Sequence, residues 1–474
     1  MTPDKPRGQG MCWAYQRLCT GTNCELGHHF GCAPAHNRGR RCRSGRPFRS
    51  TGWARRVRES SDSPHCRRES RMTTTVNDAG TDTTAPDEEL IARATGLKQV
   101  IADGAAEGSE LGHVPDQVMQ AIRDAGLLRL TVPRRYGGFE TNQRTFTAVL
   151  TELARADGST GWSAMLLNIG NWFATTLSKQ AQDDVWGADP DATTCTVLAP
   201  QGKAMRTEGG YRVSGKWGYA SGSFAATHGL HGVLVEQPDG SMRHALALIC
   251  PGQWRVERSW NPIGMRATGS DTVIVTDEFV PAHRIQYFDD MVEGRYATEF
   301  QATEPRSRAP FLPTGTIIFA AVLLGLGKAA FEQSVERMKN KGVVGTAYTQ
   351  SKESPTHQIS VARAAGLIDA AELLIQRSCF DIDDHALHGA GQMPELNRAR
   401  IRHDTGMVVE LVTEAVDLLL KAAGSSAYLE GTPLSRVFCD LGMGGSHVHA
   451  TPGIANDNYG KLLLGSSTPI PAHV

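Results

Sequence analysis

Two stretches decide the fold: "GGYRVSGKWGYASGS" at residues 209–223, and further on "NPIGMRATGSDTVIVTDEFVP" at 261–281. In both, apolar and polar residues alternate with a period of two between Gly, Pro and Asp turn signals. That is the pattern of half-buried strands. It continues through "TTCTVLAP", "THGLHGVLVEQ", "HALALICPG" and "WRVERSW", so residues from about 193 to 281 are predicted to form a compact β domain.

On either side the period changes. From about residue 88 to 177, apolar residues recur at spacings of three and four, the mark of amphipathic helices. "ELIARATGLKQVIADGAAEGSE" and "PDQVMQAIRDAGLLRL" are two such stretches, the second opened by Pro115-Asp116. After the turn-rich "VPRRYGGFE" (132–140), "TFTAVLTELARADGSTGWSAMLLNIGNWFATTL" holds two more helices, split near Asp157-Gly158. Past a linker around 290–310 come "TGTIIFAAVLLGLGKAAFEQSVERM", "HQISVARAAGLIDAAELLIQRSCFDI" and "ELNRARIRHDTGMVVELVTEAVDLLLKAAG". The last two are long enough to be rods of a four-helix bundle. Helices, strands, helices is not the alternation of a parallel α/β protein. No Gly-rich fingerprint follows a first strand, which argues against a Rossmann nucleotide site. "GTIIFAAVLLGLG" (315–327) is too short for a membrane span and reads as a buried helix, so no membrane partner is expected.

The 474 residues carry 49 Lys and Arg against 50 Asp and Glu, and the near-balance hides an asymmetry. Residues 1–71 hold 15 basic and 5 acidic side chains, which leaves 34 and 45 for the rest. An acidic body lacks the basic face that phosphate backbones need, which argues against nucleic acid as partner. Six of the ten cysteines precede Met72, and Cys195, Cys250, Cys379 and Cys439 are scattered. That usage suits a reducing, cytoplasmic setting. The Arg-rich first seventy residues have no apolar signal core. Cys24, His28, His29, Cys32 and His36 offer zinc ligands, but with no Cys-x-x-Cys pairing. A basic nucleic-acid arm is a second reading. The third is a disordered or non-native extension, with translation starting at Met72. The expected organisation is therefore an extension at 1–71, a helical domain at 72–190, a β domain at 191–290 and a helical bundle at 305–474.

The two opening stretches, in this order inside a β domain flanked by helices, resemble the acyl-CoA dehydrogenase fold over roughly 88–465. The family has a "G-x-x-x-x-G-x-K-x-W/F" strand pair whose end lies against a flavin ring, and a "G-M-R-x-T-x-S" turn leading to "V-P". "DGSTGWSAM" (157–165), the Ser-Gly of "YASGS" (219–223) and the histidines after "RVFCD" (436–440) are similar to the two-component flavin monooxygenases of that fold. The resemblance implies an α+β multidomain protein with an N-terminal helical domain, a central β domain and a C-terminal four-helix bundle. It also implies an oxygenase component that receives reduced FMN or FAD, FMN slightly favoured, from a separate flavin reductase. With O2 it would hydroxylate an aromatic or polyketide-like small molecule through a C4a-hydroperoxyflavin. A homotetramer is the further expectation.

A dehydrogenase of this fold needs a carboxylate base beside the flavin, to take a proton alpha to a thioester. Counting eight residues on from Cys439-Asp440, where the family's Arg-Asp pair falls, reaches Val448 between His447 and His449. No Asp or Glu lies between Asp440 and Asp457, and Glu430 precedes the pair. A histidine suits oxygen chemistry instead, as an acceptor of a phenol proton or a partner of the peroxide. His447 fits by spacing and His449 is second; a surface loop with incidental histidines is the other reading. Ser221 matches the relatives' serine near flavin N5, unless it serves only a turn. Trp217, Tyr219 and Ala220 would line the ring, and Thr196, Leu198 and Ala199 would supply the facing strand. Arg266, Thr268 and Ser270 would bind phosphate or form a turn. Gly424, Ser425 and Ser426 resemble a segment that reaches flavin phosphate, sometimes across a subunit boundary. Asn168 and Asn171 replace a histidine that some relatives use for substrate; Asn171 would hydrogen-bond it or cap a turn. His228 and His231 read as surface histidines. An acyl-CoA dehydrogenase with a relocated base, a non-catalytic flavin-fold subunit, and an N-oxygenase of an amino sugar are the alternatives.

Overall fold

The computed structural model describes residues 85–466, so the three readings of the first 71 residues lie outside the described part. Six helices come first: α1 (Glu88–Gly96), α2 (Lys98–Leu111), α3 (Asp116–Asp124), α4 (Gln143–Ala156), α5 (Gly158–Thr175) and α6 (Lys179–Trp186). Seven strands follow: β1 (Thr194–Thr207), β2 (Gly210–Trp217), β3 (His228–Glu236), β4 (Met242–Ile249), β5 (Arg255–Glu257), β6 (Thr272–Pro281) and β7 (Ile285–Tyr287). Then come α7 (Phe288–Val292), α8 (Phe311–Asn340), α9 (Pro355–His388), α10 (Glu395–Ala423), α11 (Pro433–Gly445) and α12 (Pro452–Leu463). This is the helix–sheet–helix arrangement expected from the change of period.

The strands form one sheet in the order β5-β6-β2-β1-β3-β4-β7. β1 and β2 are a hairpin turned at Glu208-Gly209, where Gly209 takes the left-handed φ of +76°. β1 and β3 run parallel, and the other pairs are antiparallel. On β2, Tyr211, Val213 and Trp217 point into a core made with Val233, Val235 and Val273.

α5 is the helix that matters most for the site. Asp157 caps it, accepting from the Thr160 amide and hydroxyl at 2.8 Å each. Every residue of α5 except Leu166 is buried, the polar Asn168 and Asn171 included. It lies against β1, α4 and α8. Gly170 allows the contact with β1, because a Cβ there would strike the Thr194 carbonyl. α8 is 30 residues long and apolar enough to span a membrane by length and composition. Yet 83% of its apolar window is packed inside the protein, against α4, α9, α10 and α11.

The stretch leading to the two histidines is a helix, and His447 and His449 follow it in a turn. Thr432 caps α11, Pro433 occupies its first turn, and the helix runs through Gly442 and Gly444 to Gly445. Glycine lowers helix propensity by about 1 kcal/mol per residue. Packing explains Gly444: a Cβ there would press on Leu323, Met265 and Trp162 at 2.9–3.2 Å.

Candidate active site

α5, α8, β1, the 218–221 and 260–270 turns and the end of α11 enclose a cavity of about 590 Å³. α5 contributes Trp162, Leu166, Ile169 and Phe173, one stripe at helical spacing. α8 contributes Phe311, Leu312, Gly315, Thr316 and Phe319. The wall is apolar and aromatic, and no Asp or Glu among the described residues lines it.

On the sheet side, Thr196, Leu198 and Ala199 line the cavity as expected. β1 pairs with β2 only from Gly202 onward, and its register with β3 breaks between Val197 and Gly202. Leu198 and Ala199 therefore lie on a strand edge that β2 leaves unpaired; His244 Nε2 meets the Leu198 carbonyl at 2.8 Å, and the amides of this edge are the groups left to meet a polar rim. Tyr219 and Met265 both reach the cavity with positive φ, +62° and +53°. For residues other than glycine this conformation is strained, and such strain gathers at functional sites. Ser221, Thr268 and Ser270 stand together at the wall: Ser221 Oγ is 2.6 Å from Ser270 Oγ, which is 2.6 Å from Thr268 Oγ1. An open amide edge, a hydroxyl and aromatic walls fit a planar heterocycle with a hydrogen-bonding rim, as a flavin ring is.

His447 and His449 both line the cavity. The His447 ring stacks on Phe319 at 4.3 Å and meets Trp162 edge-on at 5.6 Å. Burial, then the nearby Arg402 guanidinium, pushes His447 down to about 4. Burial, His447 and Arg402 push His449 down to about 3. Both imidazoles are neutral at physiological pH. Their tautomers follow from their partners. His447 Nδ1 accepts from the His449 amide at 3.3 Å. His449 Nδ1 faces Arg402 Nη1 at 3.4 Å, and a guanidinium only donates. Each ring thus carries its proton on Nε2, and the pair are hydrogen-bond donors and weak bases.

Other assignments are corrected. Trp217 is fully buried on the core face of β2, donates to the Gly232 carbonyl at 2.7 Å and stacks on His231 at 5.0 Å. It fills the space that Gly202 and Gly215 leave. Ala220 is buried, its amide donating to the Asp271 carbonyl and its own carbonyl accepting from the Ser223 amide. Arg266 is exposed and donates to the Ser109 and Pro262 carbonyls, outside the cavity. Asn168 gives its whole amide to the Leu130 N–H and the Leu127 and Ala164 carbonyls. Asn171 joins the Leu128 carbonyl to the Thr194 amide. Both asparagines brace α5 from behind and cannot reach a substrate in the cavity. Gly424 and Ser425 end α10 away from it, where Ser426 accepts from Arg337 and Lys341. His228 and His231 are buried, not superficial. The aromatic lining on α5 and α8 escaped the sequence reading, although the 162-166-169-173 spacing carried it.

Asp440 ties the parts together. Its carboxylate accepts from the Met265 amide at 2.5 Å, seven residues before His447. Burial, then the neighbouring Asp157 carboxylate, holds its carboxyl well above the usual range. The folded state thus binds this proton more tightly than the unfolded chain. The resulting stability is full below about pH 4 and is lost as pH rises through the elevated native value. Asp440→Asn keeps the acceptor and removes the charge. Its melting temperature is expected to gain on wild type by on the order of 2 °C between pH 6 and pH 8. Parallel melting curves across that range would contradict the assignment.

Comparison with known proteins bears on the family and the fold. The acyl-CoA dehydrogenase N-terminal domain matches residues 91–186, and the acyl-CoA dehydrogenase C-terminal domain matches 317–452. The oxygenase subunit HsaA of a flavin-dependent monooxygenase from Rhodococcus jostii (strain RHA1) is 31% identical over 79% of this chain and 97% of its own. The oxygenase component of an FADH2-dependent resorcinol hydroxylase from Rhizobium sp. (strain MTP-10005) is 30% identical over 81% and 95%. Among solved structures, XiaF from Streptomyces sp., in complex with FADH2 and glycerol, superposes with a TM-score of 0.76 at 32% identity, covering 82% of this chain and 97% of that one.

Proposed function

We propose that this chain, which belongs to the acyl-CoA dehydrogenase family and within it to the flavin-dependent monooxygenases, hydroxylates a phenol-like aromatic ring held between α5 and α8. It is the oxygenase component of a two-component system and receives reduced flavin from a separate reductase. The observation that carries the substrate class is the cavity wall: Trp162, Phe173, Phe311 and Phe319 offer flat apolar surface, with two neutral N–H donors at one end. A dehydrogenase would need a carboxylate there, and among the described residues the lining has none.

Reduced flavin, when bound, supplies the activation of O2. The chain's own residues do the rest. The open edge at Leu198 and Ala199 and the Ser221 hydroxyl hold the ring rim. The apolar wall excludes water, which protects reactive oxygen species from hydrolytic loss. Nε2–H of His447 and of His449 donates to oxygen atoms in the cavity, those of O2 or of a substrate hydroxyl. At a pKa of about 4, His447 is too weak a base to hold a phenol proton at neutral pH, so donation is its role. Incubation with reduced flavin, ¹⁸O₂ and a panel of phenols tests the class. The expected product is a ring carrying one ¹⁸O. Turnover of thioesters with no labelled phenol product would contradict it.

FAD is the form we favour over FMN, supported by the names of relatives at 30% identity and above. A homotetramer is supported by the exposed face of α9, where Ile359, Gly366, Leu373 and Phe380 recur every seven residues. In that assembly Gly424 and Ser425 would serve a flavin held by another chain. A solution mass of one chain would contradict the tetramer. The scattered free thiols Cys195, Cys250, Cys379 and Cys439 support a cytoplasmic setting.

A further inference from the structure

The three hydroxyls at the cavity wall have only one consistent arrangement of protons. A hydroxyl has one proton to give. Thr268 gives its proton to the Met265 carbonyl, 2.9 Å away, which can only accept. That carbonyl is held in place by the Trp260 indole N–H, also at 2.9 Å. Thr268 therefore has only lone pairs left for Ser270 at 2.6 Å, so Ser270 is the donor of that pair. Ser270 in turn has only lone pairs left for Ser221 at 2.6 Å, so Ser221 donates to it. The direction of the chain is set at the carbonyl and passed through two hydroxyls. Ser221 is buried and lines the cavity.

We infer that Thr268, acting through Ser270, is a positioning residue that turns the Ser221 proton away from the cavity, so that Ser221 presents an acceptor alone. The inference rests on the cavity being the flavin site proposed above. Its consequence is a discrimination between redox forms. Reduced flavin carries a proton on N5 and needs an acceptor; oxidised flavin has a bare N5 and needs a donor. A wall that can only accept favours the reduced form, as suits a protein supplied with reduced flavin. It also favours release of the oxidised form after each turnover.

The test is the affinity of the whole chain for reduced and for oxidised FAD, measured anaerobically by equilibrium titration. Wild type is expected to prefer the reduced form. Thr268→Val keeps the shape and removes the relay's anchor, so Ser270 can donate to Ser221 and Ser221 can donate to the cavity. The reduced-to-oxidised preference is expected to shrink roughly tenfold, the scale of one hydrogen bond exchanged for a mismatch. Thr268→Ser restores the hydroxyl and is expected to keep the wild-type ratio. Ser270→Ala, which frees the Ser221 proton directly, is the second variant should Thr268→Val fail to fold, and is expected to shrink the ratio likewise. An unchanged ratio in Thr268→Val with FAD still bound overturns the inference and leaves the flavin site standing. Equal weakening of both forms, or a ratio lost as fully in Thr268→Ser, marks a merely structural role and overturns it too. Failure of wild type to bind either form overturns both the inference and the flavin reading.

Discussion

Replacing His447 with alanine is expected to cut hydroxylated product per flavin oxidised by about a hundredfold, the usual cost of losing one buried donor aimed at developing charge. Affinity for reduced flavin should change by no more than about threefold, because the sheet side of the cavity is untouched. The reasoning is geometric. The His449 amide occupies Nδ1, which leaves Nε2–H as the ring's polar group for the cavity. His447 also packs on Phe319 at 4.3 Å, so alanine leaves a void as well as removing the donor. His447→Phe separates the two effects, since it fills the space without an N–H. The expected result is that phenylalanine fails as badly as alanine. If His447→Phe retains most of the coupling, donation is not what this residue does. The pH profile gives an independent check. With the pKa lowered to about 4, neither rate nor coupling should show a step near 6.5, where an unperturbed imidazole titrates.

The second large effect is expected at Gly264. A Cβ there would fall on the Cys439 carbonyl and lie 2.9 Å from the Asp440 amide, a clash of backbone with backbone that no rotamer relieves. Gly264 is the point where the 260–270 turn docks on α11, one residue before the Met265–Asp440 hydrogen bond. Gly264→Ala should therefore destabilise the protein by about 2–4 kcal/mol, at the upper end for overpacking. It should also weaken flavin binding, because the same turn carries Thr268 and Ser270 while α11 leads to His447. Chemical denaturation with flavin titration of the surviving fold measures both. An unaltered midpoint would mean that the turn does not rest on α11 as described.

What the sequence made legible was periodicity, and what it hid was parity and packing. The change from a period of two to one of 3.6 placed the β domain and the long helices. The missing carboxylate after Cys439-Asp440 pointed to His447 through the count that the family resemblance supplied, and His447 lines the cavity. Trp217 was assigned to the ring although Tyr211, Val213 and Trp217 share one strand face, and that face is the core. Asn168 and Asn171 lie on the side of α5 opposite Leu166 and Ile169; polarity suggested a substrate contact, but helical angle decides which side chains see the cavity. The glycines of α11 oppose a helix locally, and the crowding by Leu323, Met265 and Trp162 explains Gly444. His228 and His231 looked superficial for want of any signal that β3, the strand that carries them, is buried on both faces.

The central claim is that this cavity receives reduced flavin and governs its reaction with oxygen. The most direct measurement mixes the purified protein anaerobically with reduced FAD or FMN, adds oxygenated buffer and follows absorbance by stopped flow. The account predicts a lag before oxidised flavin appears, with little hydrogen peroxide released during it, and productive shortening of that lag when a phenolic substrate is present. Flavin that reoxidises as fast as it does free in solution, with peroxide formed in step, would contradict it.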